Sequence, residues 1–147
     1  MTQSEQVPSR WQWVRDQVEL YERTGGREGN TLRDTGLPVI IVTMTGRQSG
    51  QVRKIALMRV EHNGEYAIVG SMGGAPVHPQ WYYNLTGNPT GVTIQDGSTP
   101  VPVTVHETHG AEREQWWQRA VAAYPPYAEY QQRTQRVIPV LIATPAH

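Results

Sequence analysis

The sequence predicts a mainly β fold of the α+β class, an antiparallel barrel or curved sheet of six strands with helices at its periphery. Three observations carry this. Pro38-Val-Ile-Ile-Val-Thr-Met-Thr45 is continuous and β-branched, as in a strand buried on both faces. Asn63-Gly64 and Asp96-Gly97 are turn pairs set between strand-like segments. Most strand segments follow one another directly, without the intervening helices that a doubly wound parallel sheet needs.

The first element is a helix: Trp11, Val14, Val18 and Tyr21 recur at spacings of three and four, Ser9 is placed as N-cap, and the end falls near Thr24. Charges lie around most of its circumference, which argues against adsorption to a membrane. Gly25, Gly26, Gly29 and Asn30 form a loop. The strand Pro38 to Thr45 turns at Gly46 to Gly50 into a partner from Gln51 to Val60. Asn63-Gly64 leads into a third strand, Glu65 to Gly70, and the three are expected to form a β-meander. Ser71 to Pro79 reads as a loop, and His78 to Leu85 as a short helix stopped by Gly87-Asn88-Pro89. Thr90 to Gln95 and Thr99 to Glu107 are strands. The period then changes. Trp116, Ala120 and Ala123, with Trp117, Val121 and Tyr124, form two helical series on a helix opening near Gly110, its positive end carrying Glu112 and Glu114. Pro125-Pro126 breaks it, Tyr127 to Thr134 is another short helix, and Arg136 to Ala143 is the last strand.

Composition narrows the function. At 147 residues one domain is expected, with residues 1–30 as helix and loop and 38–145 as the barrel. Folding at this size buries roughly 70% of the unfolded chain's surface, enough for a core without staples. There is no cysteine, which removes disulfides, thiolate metal clusters and a cysteine nucleophile. Thirteen basic residues balance 13 acidic ones, so nucleic acid is not an expected partner. The polar start from Met1 to Arg10 and the lack of a long apolar run suggest a cytoplasmic protein.

The charge is unevenly spread. From Thr35 to Val60 the only ionisable side chains are Arg47, Arg53, Lys54 and Arg59, a cationic stretch suited to a small anionic ligand. Five Trp and seven Tyr occur with no Phe, so every aromatic has a polar handle, as pocket walls require. Glycine-rich phosphate loops and the serine-hydrolase elbow are absent. His106 and His109 lie on a strand end rather than one helix turn apart, and no metal site is expected. What remains is the turn Thr45-Gly-Arg-Gln-Ser-Gly50 and the small-residue loop Gly70-Ser-Met-Gly-Gly-Ala-Pro76, whose backbone a ligand can approach closely.

The turn Thr45 to Gly50, then Arg53-Lys-Ile-Ala-Leu57, then Gly70-Ser-Met-Gly-Gly-Ala-Pro-Val-His-Pro-Gln-Trp-Tyr-Tyr-Asn-Leu85 with Asn88-Pro89, then Ala122-Ala-Tyr-Pro-Pro-Tyr-Ala-Glu-Tyr130 with Arg136-x-Ile-Pro-Val-Leu141, resemble the deazaflavin-dependent nitroreductase family. The resemblance runs from about Pro38 to Pro145. It implies a split β-barrel and use of coenzyme F420, an 8-hydroxy-5-deazaflavin with a phospholactyl oligoglutamate tail. It also implies an actinobacterial source, in keeping with twelve Arg against one Lys.

By position, the resemblance puts the anionic tail on Arg47, Gln48 and Ser49 and lines the deazaflavin with Arg53, Lys54, Ile55, Ala56, Leu57 and Met58. It sets the ring beside Val69, Gly70, Ser71 and Met72, with Gln80, Trp81, Tyr82, Tyr83 and Asn84 completing the cofactor pocket. Tyr124, Tyr127 and Tyr130 close the substrate side as the catalytic set. Tyr127 is also placed against the cofactor, and it is expected to orient the acceptor and deliver the proton after hydride transfer. Gln48 stands where the family often has Lys, and Met72 where it often has a polar residue. Met58 takes a position that can be aromatic in members reducing nitroimidazoles, which argues against nitro-drug reduction.

The function implied is an F420-dependent reductase passing hydride to an electron-poor small molecule: an enone, unsaturated lactone, quinone or nitro compound. An FMN-dependent oxidoreductase of the same barrel type and a non-catalytic F420-binding carrier are the alternatives. A homo-oligomer is left open.

Overall fold

The computed structural model describes residues 8–32 and 35–146, with side chains described from residue 15 onward. The chain runs α1 (Pro8–Thr24), β1 (Val39–Thr45), β2 (Val52–Met58), β3 (Glu61–His62), β4 (Glu65–Val69), a 3-10 turn (Met72–Gly74), α2 (Gln80–Gly87), β5 (Val92–Gln95), β6 (Pro100–Glu107), α3 (Gly110–Ala123), α4 (Pro126–Gln132) and β7 (Val140–Pro145). All strand pairs are antiparallel, in the order β2-β1-β5-β6-β7-β4-β3.

The two outer members of that order, β2 and β3, are consecutive in the chain and separated only by Arg59 and Val60. The Arg59 amide still donates to Pro38 O at 3.0 Å on the β1 side, while Val60 O accepts from the Ala67 amide at 2.9 Å on the β4 side. One bent strand thus joins both ends of the sheet and curls it into a split barrel. The expected meander is corrected here: Glu65–Val69 pairs with β7 and with the short β3, and has no register with β2. Arg59 holds the bend, with its Nε 2.8 Å from Asp96 Oδ2, an atom that also accepts from the Tyr66 hydroxyl at 2.8 Å.

Local chemistry accounts for the turns. Asn63 and Gly64 both have positive φ, 54° and 83°, the geometry of the two-residue hairpin that the pair predicts. Helix α3 stops at Ala123, and Pro126 opens α4, where a missing amide costs nothing. The last strand starts at Val140 rather than Arg136, because the preceding backbone is engaged elsewhere. Ile138 N donates to Gln131 Oε1, Ile138 O accepts from Arg113, and Pro139 O accepts from Gly70 N.

Three packed layers result. Ile40, Val42, Met44, Ile68, Leu141 and their neighbours fill the barrel, capped by Leu85 of α2. Trp116, Ala120 and Tyr127 of α3 and α4 cover the outer face of β4 and β7. Val18 and Tyr21 pack on Val39 and Ile41 as the helical spacing predicts, while the side chains of Ser9, Trp11 and Val14 lie outside the described residues. Since α1 already includes Pro8, Ser9 is inside the helix rather than at its cap.

Candidate active site

Helix α2 is the hub. At its C-terminal end Asn84 Oδ1 accepts from the Arg47 amide at 2.9 Å, fastening the β1–β2 turn to the helix. The Arg47 guanidinium lies 5.3 Å from the Tyr83 ring centre, and its stem covers Gly87 so closely that a Cβ there would meet Cγ at 3.2 Å. Within the turn Ser49 Oγ accepts from the Gln51 amide at 3.1 Å, and Gln48 is exposed. Arg53 folds back over the same turn, since a Cβ on Gly46 would meet its Nε at 3.5 Å.

Strand alternation divides the six residues expected to line the ring. Ile55 and Leu57 pack with Trp81 and Tyr82 against the barrel interior. On the other face, Lys54 pairs with Glu22 at 2.8 Å, Ala56 packs under α1, and Met58 joins Val69 beneath the tyrosines of α4. The side chains of the six thus do not share one face. Of the four cations between Thr35 and Val60, Lys54 and Arg59 are in ion pairs, and Arg47 and Arg53 have none among the described residues. Two unneutralised guanidinium groups thus flank a turn fixed to α2, as an anionic chain of phosphate and carboxylates requires.

The small-residue loop is held from behind by Arg136. Its Nε donates to Ala75 O at 2.8 Å, its Nη1 to Gly70 O at 3.1 Å and its Nη2 to Ser71 O at 2.9 Å, while Nη1 also lies 2.9 Å from His78 Nδ1. Val69 and Ser71 are buried, Gln80 is exposed, and Met72 stands at the rim, 48% exposed with φ of 46°. Trp81, Tyr82, Tyr83 and Asn84 are half-buried. The Tyr82 hydroxyl donates to Glu107 Oε1 at 2.7 Å; burial first, then that bond, push its pKa up to about 12.

Gly74 rests on α4, where a Cβ would meet Tyr130 O at 2.7 Å, so loop and tyrosines share a wall. Tyr124 and Tyr130, both half-buried, share a hydrogen bond between hydroxyls at 3.3 Å, which together with burial raises the Tyr124 pKa to about 12. Tyr127 sits behind them, 5% exposed, its ring 5.0 Å from that of Tyr124 and 6.3 Å from that of Tyr130. Burial raises its pKa, and its hydroxyl makes no hydrogen bond among the described residues. His106 pairs with Glu112 at 2.9 Å, and among the described residues no three metal-ligating side chains converge.

Arg136 and His78 were absent from the expected site. Arg136 stands at a predicted strand start and His78 at a predicted helix start; only the fold brings them together, across 58 residues.

Comparison with known proteins converges on one family. The family model described as F420H(2)-dependent quinone reductase matches residues 13–145. An F420H(2)-dependent quinone reductase of Mycobacterium tuberculosis is 33% identical over 146 residues, covering 92% of this chain and 97% of that protein. Among solved structures, an F420-H2 dependent reductase (FDR-A) is 55% identical with a TM-score of 0.68, covering 72% of this chain and 93% of its own. A structure described as a domain-swapped dimer is 51% identical with a TM-score of 0.70, covering 90% and 97%. The chain belongs to the F420H(2)-dependent quinone reductase family.

Proposed function

We propose that this chain is an F420H2-dependent reductase that passes hydride to a quinone or a similarly electron-poor small molecule. Reduced F420, when bound, supplies the hydride from the carbon that replaces flavin N5. The observation that carries the reading is a pair of arginines, Arg47 and Arg53, with no carboxylate partner among the described residues, on a turn fastened to α2. They hold the anionic tail, and the Gly70–Met72 segment with Trp81 and Asn84 forms the ring's wall. Catalysis by this chain is then largely positioning.

Tyr124, Tyr127 and Tyr130 close the acceptor side. The burial of Tyr127 and the half-exposed hydroxyl pair in front of it support Tyr124 and Tyr130 as the groups that meet the acceptor oxygen and pass it a proton, with Tyr127 backing them. A phenol whose pKa is raised stays protonated at neutral pH and is able to donate.

We also take residues 1–147 as one cofactor-binding unit in the cytoplasm of an actinobacterium. The mycobacterial relatives support the source. No helix among the described residues is long and apolar enough to cross a membrane. The neighbour described as a domain-swapped dimer supports a homo-oligomer. Fluorescence titration with F420 and with FMN tests the assignment: F420 is expected to bind far more tightly, and equal or better FMN affinity overturns it. Turnover of a panel of quinones and enones separates an enzyme from a carrier.

A further inference from the structure

We infer that Arg136 is a positioning residue for the cofactor-side wall: it locks the Gly70–Ala75 loop in one conformation and His78 in one tautomer. A guanidinium has only donors, so the Nδ1 of His78 that faces it has to be an acceptor. The imidazole is then neutral with its proton on Nε2. The groups around that ring agree. Arg136 faces Nδ1, the Tyr82 and Tyr83 rings lie 4.6 and 6.1 Å away by centroid, and Glu107 beyond Tyr82 is the nearby acid. Burial, and then the Arg136 charge, lower the His78 pKa despite Glu107.

The loop is fixed by the same fork. Gly70 O and Ser71 O both turn toward Arg136. In a trans peptide the amide of the same plane points the opposite way, so the Ser71 and Met72 N–H groups face away from the guanidinium. Neither has an acceptor among the described residues. Among the described residues every partner of Arg136 is neutral and no carboxylate pairs with it, so its positive charge stands behind a loop whose Ser71 and Met72 donors face forward. A bound electron-rich oxygen, such as a ring carbonyl or enolate, meets both.

The chain of contacts reaches further. His78 lies against Tyr83, Tyr83 lies under Arg47, and Arg47 is held by Asn84. Arg136 thereby sets the ring-side loop relative to the turn that carries the tail-side arginines.

The inference rests on the proposed F420 reading, and its test keeps the two apart. Nitrogen NMR of His78 in the ligand-free protein is expected to show the neutral Nε2–H tautomer, with protonation only below the ordinary histidine range. Protonation at an ordinary histidine pKa, or the Nδ1–H tautomer, overturns the inference without any variant. Arg136→Lys keeps a charge but loses the fork. It is expected to mix the tautomers, speed amide exchange of residues 70–75 and weaken F420 binding by about tenfold or more, as for lost charge-assisted bonds. Unchanged exchange and affinity in a folded Arg136→Lys sink the inference. Failure of the wild type to bind F420, with the tautomer and loop protection intact, sinks the cofactor reading alone.

Discussion

Lys54 Nζ lies 2.8 Å from Glu22 Oε2 on α1, whereas the residue before it, Arg53, points to the other face of β2 and has no carboxylate partner among the described residues. Two adjacent cations therefore do different work. One ties the first helix to the barrel; the other is free for a ligand.

The first prediction follows. Arg53→Ala is expected to weaken F420 binding by roughly ten- to a hundredfold, about 1.5–3 kcal/mol for a charge-assisted contact. Lys54→Ala and Arg59→Ala leave affinity nearly unchanged, the latter at some cost in stability because Arg59 braces the bent strand through Asp96. Dissociation constants at two salt concentrations check this. An Arg53→Ala protein with wild-type affinity shows that the tail lies elsewhere.

The second concerns the tyrosines. Tyr124→Phe removes one member of the 3.3 Å hydroxyl pair and is expected to slow single-turnover reduction of a quinone, within the roughly 10²- to 10⁴-fold range of general acid help. Tyr127→Phe, from behind the pair, has the smaller effect on rate. Stopped-flow traces rank the two variants, and the reverse order returns the donor role to Tyr127.

The third uses two neighbouring glycines with similar backbones. Gly73 has φ of 66° and open space around a would-be Cβ, while Gly74 has φ of 82° and a would-be Cβ 2.7 Å from Tyr130 O. Positive φ alone strains alanine at either place. Gly74→Ala must also push the loop off α4, and is expected to cost about 1–3 kcal/mol more than Gly73→Ala. Urea unfolding of both measures the difference, and equal losses show that the loop does not lean on the helix.

The fourth is a pH dependence. Burial and hydrogen bonds raise Tyr66 and Tyr82 to about 12, above the 10.0 of an unfolded tyrosine. A group raised in the fold contributes stability that is complete below its unfolded value and is lost as pH climbs to the folded one. Stability should therefore fall between pH 10 and about 12, where the unfolded chain gives up protons that the fold retains. Thermal melts across that window are expected to show a shallower decline in Tyr66→Phe. An identical slope means that Tyr66 does not hold its proton through Asp96.

Much of this was legible from residues alone. The β-branched run at Val39–Thr45, the Asn63-Gly64 turn and the helix break at the two prolines are local signals, and the backbone obeys them. Pairing was harder. Glu65–Val69 meets β7 some seventy residues away, because Arg59 and Val60 bend the chain across the seam, and no periodicity marks a bend held by an ion pair to Asp96. The cationic stretch was visible as composition, but which two of its four members pair with a carboxylate depends on Glu22, Glu61 and Asp96 arriving from elsewhere. Arg136 was invisible as a site residue for a similar reason: three of its acceptors are backbone carbonyls, which every residue type possesses.

The strand that runs from Val52 to His62 also governs how the molecule comes apart. Its first half carries Arg53 and pairs with β1, and its last residues, Glu61 and His62, pair with β4, so a fluctuation that peels it from β1 also loosens its hold on β4. A site mounted on such a strand cannot fray independently of the scaffold. Ligand held at Arg53 should therefore steady contacts as distant as Ala67, and the pocket should persist until the whole barrel opens in one cooperative step.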